Sequence, residues 1–225
     1  MFFEEHAKLL SEFARVSQAA GARADYVQGG GGNTSVKLPG GLMAIKASGF
    51  CLSDIRPDKA YAVLDGADLR NFYLTTEPSA LADVEKEGSA RAKADIRHID
   101  GLADLRPSVE AGFHSILKTF VVHTHSVYAN LAACSTACRP IAAQAFAGAN
   151  YTWGWVPYTD PGANLTFAIR DELRRVEAET GKAPSVILMQ NHGIIVHDDD
   201  PDTALAIHTD ANERLARMFG LSGTS

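Results

Sequence analysis

Two short apolar segments, each closely followed by histidine, place the strongest constraint on the fold. Residues 119–125 are TFVVHTH, and residues 185–189 are SVILM, leading into Asn191-His192-Gly193. Apolar runs of this length that are rich in β-branched residues are typical of strands buried in a sheet. Both predicted strands end where polar side chains begin, and strand ends are where α/β sheets place their sites. The sequence therefore predicts a functional edge on a buried sheet.

Helical patterns alternate with strand patterns along the rest of the chain. Residues 4–20 carry apolar side chains at helical spacing up to Gly21, and residues 201–218 do the same after Asp200 and Pro201, which fit Ncap and N1. Together these patterns predict one compact α/β domain spanning residues 1–225. The other predicted elements are a hairpin of SVKL and LMAIKAS, a strand at 60–64, a helix at 78–95, a helix capped by Ser108, a loop at 150–162 that holds Trp153 and Trp155, and a helix at 164–179.

Net charge, cysteine number and hydropathy indicate which kinds of partner and compartment to expect. With 21 Lys plus Arg against 27 Asp plus Glu, the net charge of −6 offers no general attraction to nucleic acid or to anionic membranes. Three cysteines argue against a disulfide framework and for a reducing compartment. The acidic amino terminus differs from a signal peptide, and no apolar run approaches the roughly 20 residues that span a bilayer. We expect a soluble cytoplasmic protein with a small-molecule substrate.

Three histidines are candidates for metal ligands. His123 and His125 are two residues apart on a predicted strand, so they point to the same face, about 6.5–7 Å apart at the backbone. Chance alone gives about 0.3 such pairs in this composition, so two unrelated histidines are the alternative. Burying imidazoles without partners is costly, however, and His192 follows a second buried strand. Three histidines with an open fourth position are the arrangement of a catalytic zinc.

Glu110 is the candidate acid/base. It precedes His123 by 13 residues and is expected in the first turn of the helix that leads into that strand, at the same edge of the sheet. A carboxylate there could ligate the ion or act as general acid/base. The alternative is a glutamate that only stabilises the positive end of the helix dipole.

A glycine-rich segment, Gln28–Ser35, is a candidate anion-binding loop. Four glycines followed by Asn33, Thr34 and Ser35 let backbone N–H groups approach an anion closely. The segment leads into a strand, which distinguishes it from Walker and dinucleotide-binding loops. Lys46-Ala-Ser48-Gly49 could form a second wall with a local positive charge. A plain flexible turn is the alternative.

The ordered motifs GGGNTS, KASG, PSVE-AGFH, VVHTH and QNHG resemble the class II aldolase/adducin family, which includes fuculose and rhamnulose 1-phosphate aldolases and ribulose-phosphate 4-epimerases. The resemblance covers nearly the whole chain. It implies a three-layer α/β/α fold around a largely antiparallel sheet, and a homotetramer with active sites between subunits. It also implies residue roles: zinc ligands at His123, His125 and His192, an acid/base at Glu110, and phosphate contacts at Gly32, Asn33, Ser48, Gly49 and Ser108.

The chain departs from the family pattern in four places. Val109 stands where sugar-phosphate aldolases often carry a second serine, which removes one hydroxyl from the phosphate pocket. The interval from Glu110 to His123 is shorter than usual, so the helix between them must be short. The segment 75–106 is longer than in compact fuculose-type members. The tyrosine that fuculose aldolases bring from a neighbouring subunit has no clear match; the corresponding region holds Gln144 and Phe146, with Tyr128, Tyr151 and Tyr158 nearby.

These observations lead to the hypothesis of a metal-dependent aldolase that cleaves a small phosphorylated ketose through a zinc-stabilised enediolate, with manganese, iron or cobalt as alternative metals. Epimerisation, decarboxylation or dehydration at the same site are alternatives, as is an adducin-like binding protein without chemistry. A zinc hydrolase is disfavoured by the resemblance.

Three other histidines are interpreted as structural. His197 is expected in a solvated turn with Asp198, Asp199 and Asp200, and a second metal site is the alternative. His114 and His208 are expected to be packed core residues.

Overall fold

The computed structural model describes residues 1–221. Its strands form one eight-stranded sheet in the order β4-β3-β2-β1-β5-β8-β7-β6, in which only β6 and β7 pair in parallel. The strands are β1 Asn33–Lys37, β2 Leu42–Lys46, β3 Tyr61–Asp65, β4 Ile96–Arg97, β5 Phe120–Thr124, β6 Trp153–Val156, β7 Val186–Met189 and β8 Gly193–Asp198. The helices are α1 Phe2–Glu5, α2 Ala7–Gly21, α3 Gly66–Thr75, α4 Val84–Ala94, α5 Ala111–Ile116, α6 Val127–Ala133, α7 Cys138–Ala145, α8 Ala163–Thr180 and α9 Pro201–Met218.

Helices cover both faces of the sheet. One apolar cluster joins α2, α6, α7 and α9 to residues such as Val122 and Val196, and a second joins α3, α5 and α8 to their strand neighbours Val121 and Ile195. Neighbouring strand residues supply opposite clusters because successive side chains of a strand point to opposite faces. The three-layer α/β/α architecture with a largely antiparallel sheet is therefore confirmed. Among residues 1–221, no helix combines the length and apolarity that crossing a bilayer requires.

Several local predictions need correction. Trp153 and Trp155 lie on strand β6 at the sheet edge and not in a loop, because β6 pairs in parallel with β7. The helix predicted at 78–95 is a short 3₁₀ turn followed by α4. His197 is buried on β8, and only Asp199 and Asp200 lie between this strand and α9, with Asp200 capping α9 as predicted. Pairing with β5 extends β8 to Asp198, which takes His197 out of the turn.

The start of α5 also differs from the prediction. The helix begins at Ala111 with Glu110 as its N-cap residue, so Ser108 does not cap it and Glu110 precedes the first turn. The Ser108 hydroxyl accepts a hydrogen bond from the Glu110 backbone N–H instead, at 3.2 Å. This helix has only six residues, as the short interval before His123 requires.

Buried histidines should make the fold sensitive to acid. Burial lowers the pKa of His123 and His197 to about 3, that of His208 to about 4, and that of His114 well below its usual value. In the unfolded chain these histidines bind protons as the pH falls through about 6.5, whereas in the folded chain they stay neutral down to about pH 4. The free energy of unfolding therefore decreases as the pH falls below 6.5. We expect the metal-free protein to lose about 5 kcal/mol of unfolding free energy between pH 7 and pH 5.5. Urea denaturation at both pH values measures this loss.

The control is His208→Gln, which removes one of these protons and should reduce the pH-dependent loss by about a quarter. Equal stability of the parent protein at the two pH values would contradict the expectation.

Candidate metal centre

Strand pairing brings the candidate ligands to one edge of the sheet. Strand β5 lies between β1 and β8, with His123 opposite Asn33 on one side and Ile195 on the other. The tight turn between β7 and β8 carries His192 to the end of β5, and Asn191 adopts a positive φ of 53° in this turn. Gly193 is required here because a Cβ at that position would lie 2.4 Å from the Thr124 carbonyl oxygen. The close approach of the turn to β5 therefore depends on glycine.

The three imidazoles converge as the sequence predicts. One ring nitrogen from each of His123, His125 and His192 lies within 4.8 Å of those of the other two. The Nε2 atoms of His123 and His125 are 3.1 Å apart. Ligands held at about 2.0–2.1 Å by a tetrahedral ion stand about 3.3 Å apart, so this spacing fits a shared cation. Without a proton or a cation between them, the two lone pairs would repel each other.

The protonation of these rings also suits metal binding. The Nδ1 of His123 donates a hydrogen bond to the Ile194 carbonyl at 3.0 Å, which leaves the lone pair on Nε2. Burial lowers the pKa of His123 to about 3 and also lowers that of His125, so both are neutral near pH 7. Neutral imidazole is the form that binds metal ions.

Glu110 faces the same point. Its Oε1 lies 3.1 Å from His192 Nε2, its Oε2 lies 3.7 Å from His123 Nε2, and the side chain is 7% exposed. Burial by itself would raise the pKa of Glu110, but the neighbouring imidazoles and a hydrogen bond from Asn33 together lower it well below the usual range. The carboxylate is therefore ionised at neutral pH and able to act as a ligand or as a base.

The predicted anion-contacting residues lie beside this cluster. The Asn33 amide donates to Ser108 Oγ at 3.0 Å, and the Ser48 hydroxyl donates to the Pro107 carbonyl at 3.2 Å. Gly32 packs under the His123 carbonyl, where a Cβ would lie only 2.6 Å from the oxygen, and Gly49 follows Ser48 with a φ of 89°. Asn33 and Ser108 therefore contact Glu110 directly and Gly32 packs against His123, whereas Ser48 reaches the site only through the Arg106-Pro107 backbone, with Gly49 next to it in the chain.

Lys46 connects the glycine-rich loop with the loop that follows β2. Its Nζ donates to the Phe50 carbonyl at 2.7 Å and approaches the Gly30 carbonyl at 3.4 Å, and the side chain is buried. Burial lowers its pKa, and the negative charge of Glu110 acts against that shift. The predicted second wall of the site is thus linked to the glycine-rich loop through a single cation.

Sequence reasoning missed the connection between His114 and this site. His114 is packed as predicted, yet both of its ring nitrogens are bonded, Nδ1 to Ser35 Oγ at 2.8 Å and Nε2 to Asn33 Oδ1. Asn33 in turn contacts Glu110. The sequence feature that could have predicted this connection is the position of His114, four residues after Glu110 in the same motif.

The nearby tyrosines have other partners. Tyr151 donates to Asp210, and Tyr158 donates to Asp160, each at 2.8 Å. Neither hydroxyl is directed at the three histidines, so no proton donor for an aldehyde oxygen is assigned to them.

Comparisons with known proteins identify the family and the fold. The profile of the class II aldolase and adducin N-terminal domain matches residues 11–219. The N-terminal class II aldolase domain of a conserved protein from Thermoplasma acidophilum superposes with a TM-score of 0.75 at 20% identity, covering 93% of both chains. No curated protein is significantly similar in sequence.

Two further solved structures share the fold. YgbL from Klebsiella pneumoniae, described as a putative aldolase/epimerase/decarboxylase, has a TM-score of 0.64 at 18% identity and covers 98% of this chain and 92% of its own. L-fuculose-1-phosphate aldolase from Thermus thermophilus has a TM-score of 0.56 at 15% identity, with 96% and 95% covered. At these identities the likeness shows the fold alone. Because the family profile spans nearly the whole sequence, the chain belongs to the class II aldolase and adducin family.

Proposed function

We propose that this protein is a metal-dependent aldolase, a carbon–carbon lyase that acts reversibly on a small phosphorylated ketose. The observation that carries the proposal is the convergence of three imidazoles with an ionised carboxylate, Glu110, 3.1 Å from the nearest ring nitrogen. Family membership supports the reaction class.

His123, His125 and His192 would hold the divalent ion, which we propose to be zinc, with manganese, iron or cobalt as alternatives. When bound, such an ion supplies a Lewis acid for the substrate carbonyl and thus an electron sink that needs no Schiff-base lysine. The neutral state of His123 and the carbonyl bond at its Nδ1 support this assignment.

Glu110 is proposed to move the proton at the reacting carbon. In the condensation direction the ionised carboxylate removes the proton from the carbon next to the ketone, and the resulting electron pair attacks the aldehyde carbon, whose oxygen takes up a proton. Cleavage reverses these events, so that Glu110 returns the proton to the carbon. His123 and His192 lower the pKa of the Glu110 carboxyl, and the hydrogen bond from Asn33 adds to this effect and orients the carboxylate for this role.

An anionic substrate is supported by the surroundings of Ser108. A cavity of about 900 Å³ is lined by Ser108, and also by Arg106 and Lys93. Neither Arg106 nor Lys93 forms an ion pair with a carboxylate within 4 Å among residues 1–221. The backbone carbonyl of Arg106 accepts from the Ser48 N–H at 2.9 Å, so the backbone of the segment that carries Ser108 lies against Ser48. Two carboxylates, Glu85 and Asp104, also line the cavity, but Glu85 accepts from the backbone N–H groups of Ala163 and Asn164, and Asp104 pairs with His98. Lys93 and Arg106 are therefore the charged groups of the described lining that remain available to an anion, beside the position where Val109 removes a hydroxyl.

The four-fold assembly expected from the resemblance belongs to the same proposal. Exposed apolar side chains border the metal centre: Val109 follows Ser108, Val127 and Leu131 line a cavity with His125, and Tyr158 donates its N–H to Gln190. Apolar side chains gathered around a site favour burial against another subunit.

The test combines metal analysis with a substrate panel. Purified protein should contain about one divalent ion per chain and should convert ketose 1-phosphates into two smaller products, with the unphosphorylated ketoses as matched controls. Product masses separate the alternatives, because epimerisation and dehydration leave the carbon count unchanged and decarboxylation removes only one carbon. Turnover by a metal-free protein, or stoichiometric metal with no cleavage of any phosphorylated ketose, would contradict the proposal.

A further inference from the structure

His114 lies at the start of a hydrogen-bond chain that reaches the proposed reaction site. The ring is fully buried, and its two nitrogens contact Ser35 Oγ and Asn33 Oδ1. The Asn33 amide nitrogen then contacts Glu110 Oε2 at 2.5 Å and Ser108 Oγ at 3.0 Å. A buried core histidine is thus only one side chain away from both the proposed base and a proposed phosphate contact.

The direction of every bond in this chain can be deduced. A carboxylate only accepts, so Asn33 must turn its NH₂ group toward Glu110 and its carbonyl oxygen toward His114. That carbonyl needs a donor, so the single proton of the neutral His114 ring lies on Nε2. Its Nδ1 then accepts the hydrogen bond from the Ser35 hydroxyl. The opposite tautomer would turn the Asn33 carbonyl toward Glu110 and bring two acceptors together.

The same direction determines what Ser108 can do. Its Oγ accepts one hydrogen bond from Asn33 Nδ2 and a second from the Glu110 backbone N–H at 3.2 Å. Both acceptor positions of the hydroxyl are therefore used, while its own O–H has no acceptor among residues 1–221. Ser108 is partly exposed and lines the cavity of about 900 Å³. The O–H is free to donate to a ligand oxygen in that cavity.

We propose that His114 is a positioning residue that sets the donor and acceptor directions of these hydrogen bonds. As a result, the Ser108 O–H points to the anionic group of the substrate, and the Glu110 carboxylate remains free to accept a proton from the reacting carbon. The inference rests on the proposed function and deepens it, because it gives the buried His114 ring a part in binding the anionic group that the resemblance places at Ser108. A histidine that merely filled the core would have no influence on which way Asn33 and Ser108 point.

The test measures binding of inorganic phosphate to the metal-loaded protein by calorimetry. His114→Leu removes the donor to Asn33 and should weaken phosphate binding about tenfold or more, the effect of one hydrogen bond to a charged group. His114→Gln carries an amide N–H near the Nε2 position and should stay within about threefold of the parent. His197→Gln is the matched control, a buried histidine on β8 outside this chain, and should leave phosphate binding unchanged.

A double-mutant cycle separates positioning from a structural role. Ser108→Ala should weaken phosphate binding strongly in the parent and far less in the His114→Leu background, because the hydroxyl has already lost its orientation there. In steady-state kinetics His114→Leu should raise KM for the phosphorylated ketose about tenfold, and His114→Gln should restore it. If the leucine variant does not fold, His114→Asn serves instead, since its shorter amide reaches Ser35 but not Asn33.

The inference is overturned if a folded His114→Leu or His114→Asn variant binds phosphate as the parent does, if its effect simply adds to that of Ser108→Ala, or if the parent binds no phosphate. Failure of the proposed function looks different. In that case phosphate binding would still depend on His114 and Ser108 together, while no ketose phosphate would be cleaved.

Discussion

A His192→Ala variant should retain less than about a tenth of the metal and lose about 10³-fold or more of its lyase activity. The reason is that a Lewis acid contributes several kcal/mol to the barrier, and each 1.36 kcal/mol is worth a factor of ten. His192 is suited to this test because it sits in the β7–β8 turn, where truncation disturbs the core less than at His123, which is fully buried on β5. Metal content by elemental analysis and kcat/KM on the best ketose phosphate are the two measurements.

The control for this variant is His98→Ala. His98 is exposed and lies outside the three-histidine cluster, so its removal should leave the metal content unchanged. Because His98 also lines the cavity of about 900 Å³, this control applies to metal content alone. A His192→Ala protein that keeps stoichiometric metal and parental activity would show that the three rings do not share an ion.

Replacing Glu110 with glutamine is expected to lower kcat by about 10²- to 10⁴-fold while the metal stays bound, which is the range of a lost general acid/base. Glutamine keeps the size of the side chain but cannot accept a proton at neutral pH. Because the three imidazoles remain, metal content should be unchanged. Steady-state kinetics and exchange of the substrate's carbon-bound proton with deuterated solvent measure the effect, and the exchange should slow in parallel with kcat.

Glu172→Gln provides a control of matched burial. Glu172 is 8% exposed against 7% for Glu110, and it accepts a hydrogen bond from the Trp155 backbone N–H at 2.7 Å, away from the histidines. This variant should lose stability but not kcat. Full activity after Glu110→Gln would remove Glu110 from the mechanism and leave the metal centre without an assigned base.

Local patterns predicted more of the fold than of the site. The helix at 201–218 was predicted with its true boundaries, because an Asp-Pro pair at its start and a 3.6-residue period are both local signals. Strand β6 was missed because its aromatic residues stand among glycines and prolines, and its strand conformation depends on a parallel partner about 30 residues later in the chain.

The functional roles divide in the same way. His123 lies on β5 and His125 directly follows the strand, so the spacing of the two histidines in the sequence is enough to predict that they share a face. The role of His114 is not identifiable in this way, because helical spacing only places it in the core, and its contacts with Ser35 and Asn33 span 79 and 81 residues of sequence. Such contacts leave no periodic signal.

By itself, the sequence determined which residues could do chemistry: three imidazoles, one carboxylate, a glycine-rich loop and the local elements that carry them. Only the tertiary structure decided that these groups meet, because it is the pairing of β5 with both β1 and β8 that places Asn33 opposite His123 and brings the His192 turn alongside. It also decided the direction of the bonds from His114 to Ser108. The physical reason is that side-chain periodicity is a property of neighbours along the chain, whereas strand order and hydrogen-bond direction result from packing and mutual satisfaction of groups distant in sequence.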